Sequence, residues 1–217
     1  MRAIILAAGF AFRFQGQSKP FLKINGEPII VRLVNQLKGY GVEPVYIVVG
    51  YQAERFLQLE NVSLIHNINY QKADNALSMK VALDTIGFED SLMLDADLVL
   101  SEGALTPLLD AYNKERDSMS LVDFDFSDPE AMKVILKNNR IIGYSKEKGV
   151  GADVCELVTK NVLENIYDDL DKVKWWGVGV GENKINAKAI STAKGTKWIE
   201  IDTPKDYETA KKKFELE

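Results

Sequence analysis

The run Ala3-Ile4-Ile5-Leu6-Ala7-Ala8, closed by Gly9, has no polar side chain to turn toward water. A strand of this composition needs apolar partners on both faces, which is its situation in a parallel sheet sandwiched between helices. It is predicted to be the first, central strand. From Pro28 the apolar positions Ile29, Ile30, Leu33, Val34 and Leu37 recur at helical spacing, and Gly39 and Gly41 supply a stop. Val45 to Val49 and Val62 to Ile65 then read as further buried strands. The alternation continues with a helix from about Asn75 to Ile86, a strand Ser91 to Leu94, a helix through Leu105, Leu108, Leu109 and Tyr112, and a strand Met119 to Phe124. Repeated βα units imply an α/β fold: a three-layer, Rossmann-like, mostly parallel sheet with helices on both faces.

Beyond Asp125 the rhythm changes. Lys133 to Leu136 and Arg140 to Ile142 flank Asn138-Asn139, the signature of a β-hairpin insertion. A strand near Asp153 to Val158, a helix near Asn161 to Leu170 and an aromatic segment at Trp175-Trp176 follow. The chain closes with a strand Trp198 to Ile201, then Thr203 as N-cap, Pro204 in the first helical position and a helix Tyr207 to Phe214. No repeat or Pro/Ser-rich linker divides it, so residues 1–217 read as a single domain.

Charge narrows the partners. The 27 Lys+Arg against 32 Asp+Glu give a net charge of −5. Nucleic acid and anionic lipid call for dense basic fields, so neither is expected as a partner. No apolar run is long enough for a membrane span, and Met1 to Gly9 lacks the layout of a signal peptide; a cytoplasmic location is expected. A lone Cys155 and a lone His66 exclude an intrachain disulfide and the usual structural zinc site.

Chemistry gathers at the predicted strand ends. Leu6-Ala7-Ala8-Gly9-Phe10-Ala11 is a small-residue turn at the carboxyl edge of a parallel sheet, where backbone amides can approach a phosphate or a base. Arg13 and Lys19 add a planar fork and a point charge suited to phosphate oxygens, although a tight turn with two solvated cations has the same sequence. Asp95-Ala96-Asp97 places two carboxylates at a strand end, as hard oxygen ligands for Mg²⁺ or as ordinary turn aspartates. Asp202 stands at another strand-to-helix junction, where favouring the helix dipole would also explain it. Asn69 to Met79 is a polar loop entering a helix, able to offer Asn75 and Ser78 to a base edge or simply to cap.

These motifs, LAAGFAFR at Leu6 to Arg13, SKPF at Ser18 to Phe21, Asp95-Ala96-Asp97 and Asp202, resemble in kind and order those of the nucleotidyltransferases. That family moves a nucleoside monophosphate onto a sugar phosphate or related phosphomonoester. Two departures stand out: Ala11 replaces the second glycine and Ser18 the proline before the lysine. The Asn75 to Met79 segment is most similar to the subgroup that uses CTP to activate choline phosphate, aminoalkylphosphonates or polyol phosphates. The resemblance implies an enzyme with Lys19 and Arg13 as catalytic cations, and Mg²⁺ on Asp97 and Asp202. Leu6, Ala7, Ala8, Gly9, Phe10, Ala11, Asn75, Ser78 and Asp95 would lie around the nucleotide. It divides the domain into a nucleotide-binding part (1–125), an acceptor-binding part (126–197) and a closing strand and helix (198–217).

For the acceptor, Tyr144, Lys146, Trp175, Trp176 and Trp198 are the candidates. Aromatic faces attract quaternary ammonium, which brings choline phosphate forward, though bulky aromatics also serve as core. Alternative readings are a sugar 1-phosphate or molybdenum-cofactor nucleotidyltransferase, or a nucleotide-binding module whose activity has decayed. A homodimer, paired through an edge strand or the hairpin after Phe126, stays open.

Overall fold

The computed structural model describes residues 1–215 except 11, 73, 127, 129, 130 and 181–183. In chain order the strands are β1 (Arg2–Ala7), β2 (Lys23–Ile24), β3 (Glu27–Pro28), β4 (Val45–Val49), β5 (Ser63–His66), β6 (Ser91–Asp95), β7 (Leu98–Leu100), β8 (Met119–Asp123), β9 (Lys133–Lys137), β10 (Arg140–Ser145), β11 (Ala152–Val158), β12 (Lys188–Ser191) and β13 (Trp198–Glu200). The helices are α1 (Ile29–Gly39), α2 (Asn75–Ile86), α3 (Thr106–Glu115), α4 (Lys160–Ile166) and α5 (Pro204–Phe214).

Seven strands make one sheet in the order β12-β8-β11-β6-β1-β4-β5. β1 lies parallel to both β4 and β6, β4 to β5 and β8 to β12, whereas β11 runs antiparallel to β6 and β8. The composition of β1 accounts for its place. Ala3, Ile5 and Ala7 enter one core cluster, with Ile30, Leu33, Val34 and Leu37 of α1 and Leu108, Leu109 and Tyr112 of α3. Ile4 and the following Ala8 enter the other, with Ala76, Met79, Ala82 and Leu83 of α2 and Val162, Leu163 and Ile166 of α4. Each fully buried Leu or Ile contributes about 1.5–3 kcal/mol, so these two stripes hold the three layers together.

The expected hairpin is β9–β10, and Asn138 and Asn139 both take positive φ, 51° and 59°, as its two-residue turn requires. Three details add to or differ from the sequence reading. The closing strand does not join the main sheet but forms an antiparallel ladder with β7, Trp198 opposite Leu100 and Glu200 opposite Leu98. The strands β7 and β12, neither of them anticipated, are short enough to pass for loop. The helix expected to reach Leu170 ends at Ile166 and continues as a 3-10 turn, Tyr167–Asp169.

Under the β7–β13 ladder, Phe14, Leu22, Ile24, Ile29, Val99, Ile201, Ala210 and Phe214 form a third core cluster, which α5 covers. Thr203 and Asp206 close a capping box at the start of α5, each side chain bonded to the other residue's backbone N–H. At the amino end of β1, buried Arg2 donates to Ser91 Oγ (2.8 Å), Ile86 O (3.0 Å) and Gly87 O (2.6 Å), tying the end of α2 to β6. Among the described residues no helix is long and apolar enough to cross a membrane.

Candidate active site

The ladder brings together two aspartates far apart in sequence. Asp97 immediately precedes β7 and Asp202 lies two residues past the end of β13, and Ile201 N donates to Asp97 O at 3.1 Å. Lys19 opens a 3-10 turn, Lys19–Phe21, anchored by buried Pro20 and Phe21. Its Nζ donates to Asp97 Oδ2 at 2.6 Å and to Asp202 Oδ1 at 3.0 Å. The Lys19 and Asp97 side chains are each 19% exposed and that of Asp202 47%, so this cation is largely shielded from water. Burial disfavours the ammonium, but the Asp97 and Asp202 charges outweigh it and hold the Lys19 pKa above the ordinary lysine value. Burial likewise opposes charge on Asp202, yet the Lys19 ammonium keeps its carboxyl below the usual range. Arg13 stands at the rim, its guanidinium exposed and 4.0 Å from Asp202 Oδ1.

This cluster borders a cavity of about 350 Å³, a size usual for a small-ligand site. Leu6, Ala7, Ala8, Gly9 and Phe10 line it, as the turn after β1 was expected to, and so do Asn75, Ser78 and Asp95. Ala11 lies outside the described residues. Ser78 Oγ accepts from Asn67 Nδ2 at 3.1 Å, leaving its own hydrogen for another partner. Asn75 Nδ2 donates to Asp95 Oδ1 at 3.0 Å. Burial first, then the neighbouring Asp97 charge, push the Asp95 carboxyl up to about 7.

Of the candidates for the acceptor, Lys146, Trp175 and Trp176 line the same cavity. Tyr144 and Trp198 do not. Tyr144 is buried behind the tryptophans, edge-on to both rings, with its hydroxyl against Ser120 Oγ. Trp198 packs into the core beside Phe126 and donates from its indole nitrogen to Asp123 Oδ2 at 2.8 Å. Its place in β13 turns it away from the cavity, a direction that an aromatic residue type does not reveal.

Sequence reasoning missed Asp153 and Glu156 of β11, both on the cavity wall. Residues three apart in a regular strand face opposite ways. Here the register against β8 shifts between Asp153 and Cys155, and that bulge returns Glu156 to the side of Asp153. The two carboxyl groups come within hydrogen-bonding reach of each other. The signal in the sequence was only that two acids interrupt an otherwise apolar strand.

Asp97 and Asp202, already sharing one cation, are hard oxygen donors beside an open cavity. Such a pair suits Mg²⁺, which keeps waters and takes further ligands from phosphate oxygens. Among the described residues no group of three or more His, Cys, Asp or Glu side chains is placed to hold an ion by itself.

The sequence pattern of the MobA-like NTP transferase domain matches residues 3–141, well over half of the chain. The chain belongs to this family. The matched stretch holds Arg13, Lys19, Asn75, Ser78 and Asp97, and ends before Asp153, Glu156 and Asp202. Among curated relatives, a 2-aminoethylphosphonate cytidylyltransferase from Lancefieldella rimae is 36% identical over 108 residues, 46% of this chain and 44% of that protein. A choline-phosphate cytidylyltransferase from Streptococcus pneumoniae is 32% identical over 104 residues, 45% of this chain. In both cases the match spans 44% of the relative's length. Among solved structures, the CTP:phosphocholine cytidylyltransferase of S. pneumoniae superposes over 97% of each chain with a TM-score of 0.78 at 21% identity. The inositol-1-phosphate CTP transferase of T. maritima covers 99% of this chain and 96% of its own at a TM-score of 0.72 and 22% identity. At these identities the structural matches establish the fold.

Proposed function

We propose that this member of the family transfers CMP from CTP to a small phosphonate or phosphomonoester and releases pyrophosphate. The observation that carries the reading is Lys19, clamped between Asp97 and Asp202 at the edge of a cavity lined by the turn after β1. Cytidine is favoured because both cited curated relatives are cytidylyltransferases.

Two anions must meet, so neutralisation and alignment dominate and no nucleophilic side chain is required. An oxygen of the acceptor attacks the α-phosphorus; a new P–O bond forms there while the bond to the bridging oxygen of the β-phosphate breaks, and pyrophosphate leaves. Lys19 and Arg13 are the cations for the charge that develops on the departing group. The backbone from Leu6 to Phe10 cradles the nucleotide. Asn75 and Ser78 face its base, and Asp95 fixes the amide of Asn75. Asp97 and Asp202 would hold Mg²⁺, which when bound offsets the negative charge of the phosphates.

The test is a matrix of pyrophosphate release, four triphosphates against phosphorylated alcohols, sugar 1-phosphates and phosphonates, with and without a chelator. Release is expected with CTP and a small phosphonate or phosphomonoester, and is expected to stop on chelation. Lys19→Ala and Asp97→Ala should each lower turnover by about a hundredfold or more while the far-UV spectrum stays native. Near-normal turnover in both variants would remove the assignment. Nucleotide binding without release for any acceptor would instead identify a binding module.

A further inference from the structure

Transfer needs its two cations held in place, and both ride on one irregular stretch. Arg13 lies in a 3-10 turn, Phe12–Phe14, and Lys19 opens the next, Lys19–Phe21. Between them Gln15 and Gly16 take positive φ, 53° and 83°. Ser18, in the place of a proline that would lock φ, makes no side-chain cap bond. From within, the stretch is held by single-turn bonds such as Gln15 N to Phe12 O at 3.1 Å and Gln17 N to Phe14 O at 2.9 Å.

A second segment, just after β4, grips it at both ends. Toward Arg13, Tyr51 donates from its hydroxyl to Gly16 O at 2.9 Å, and Gln52 Nε2 donates to the same oxygen at 3.3 Å. Phe10 packs edge-on against the Tyr51 ring, centroids 4.4 Å apart. Toward Lys19, the Phe21 ring of its turn meets Phe56 edge-on at 4.8 Å and lies under the Arg55 guanidinium, 4.2 Å from the ring centre.

Gln52 joins the two grips. Arg55 Nη1 donates to Gln52 Oε1 at 3.1 Å. A guanidinium cannot accept, so this bond fixes the Gln52 amide with its nitrogen toward Gly16 O and toward Tyr51 OH, at 3.2 Å. Gln52 also holds φ 52° and ψ 38°, a left-handed conformation that a residue with a Cβ keeps where its surroundings determine it. Tyr51, Gln52 and Arg55 are not among the residues that line the cavity, so contact with a ligand there does not account for them.

We infer that Tyr51, Gln52 and Arg55 are positioning residues: through Gly16 and Phe21 they brace both ends of the stretch from Phe10 to Phe21, and so hold Arg13 and Lys19 in register for the departing pyrophosphate. The role in turnover rests on the nucleotidyl-transfer reading; the brace itself does not.

Tyr51→Phe deletes the hydroxyl and keeps the ring on Phe10. Gln52→Gly deletes the amide and relieves the left-handed backbone, so its urea midpoint should stay near that of the parent. Each variant is expected to lower kcat for pyrophosphate release about tenfold with KM for CTP within about twofold, because the cations act on charge that develops in the transition state. Arg55→Lys keeps a donor for Gln52 but loses the planar group on Phe21, and kcat should fall in the same direction. Since Tyr51 and Gln52 share Gly16 O, the double variant should lose much less than the product of the single losses. Independently of activity, hydrogen exchange at the amides of Gln17, Phe21 and Leu22 should quicken about tenfold in Tyr51→Phe and Gln52→Gly while α1 exchanges as before. Unchanged exchange at these amides in both variants overturns the brace. Faster exchange with parental kcat overturns the positioning role, as does a kcat loss that in every variant follows a lowered urea midpoint. A parent that releases no pyrophosphate with any triphosphate and acceptor, while exchange in the variants responds as expected, keeps the brace and removes the transfer reading.

Discussion

Lys19 answers two carboxylates at once, and the acids around it differ in how visible they were beforehand. Asp97 and Asp202 stand at strand ends, where the order of motifs marks them. Asp153 and Glu156 were hidden, because a bulge in β11 changes the face on which every later residue of that strand falls. Their burial has a consequence for stability. Both carboxyls bind a proton more tightly folded than unfolded, so their contribution is greatest below about pH 4, the unfolded carboxylate value, and is lost as pH rises through the folded value of about 6 for Asp153 and beyond for Glu156. The melting temperature of the ligand-free protein should therefore fall between pH 5 and pH 8. Glu156→Gln should flatten that slope and melt higher than the parent at pH 8. A flat or rising parent profile across this window would show that the pair is not strained by ionisation. Asp202, shifted the other way by Lys19, exerts its effect below this window.

Among the elements, those with a clear period were legible: β1, α1, β4, α2, β6 and the β9–β10 hairpin all lie where apolar spacing and turn residues put them. The β7–β13 ladder was not, because three residues per strand carry no period, and pairing across a hundred positions leaves no local mark. Yet that ladder is what delivers Asp97 to Asp202. Its far end depends on α5, whose capping box begins at the residue after Asp202. Thr203→Ala should lower unfolding free energy by about 1 kcal/mol, read from urea melts. Because the box holds the backbone on which Asp202 sits, turnover should fall as well. Full activity in a measurably destabilised Thr203 variant would mean that the aspartate is positioned by the ladder alone.

Across the whole molecule, the two ends of the sheet do different work. The carboxyl ends of β1 and β6 open on the cavity, whereas at their amino ends Arg2 is buried under the end of α2. Arg2→Met removes a charged donor from two backbone carbonyls and one hydroxyl, and is expected to cost roughly 2–3 kcal/mol of stability. KM for CTP should stay where it is in the protein that remains folded. A raised KM would reveal coupling between the ends that the packing does not require. The contrast with Lys19→Ala, expected to keep the fold and lose turnover, separates scaffold from chemistry.

The antiparallel pairing of Trp198–Glu200 with Leu98–Leu100 also bears on how the protein is made. Every strand of the seven-stranded sheet precedes Trp198, so a nascent chain can assemble that sheet while lacking one of its two key aspartates. Competence for the reaction would then wait on the segment that follows Ser191, whose residues Trp198–Glu200 must thread back beside Leu98 to bring Asp202 to Asp97.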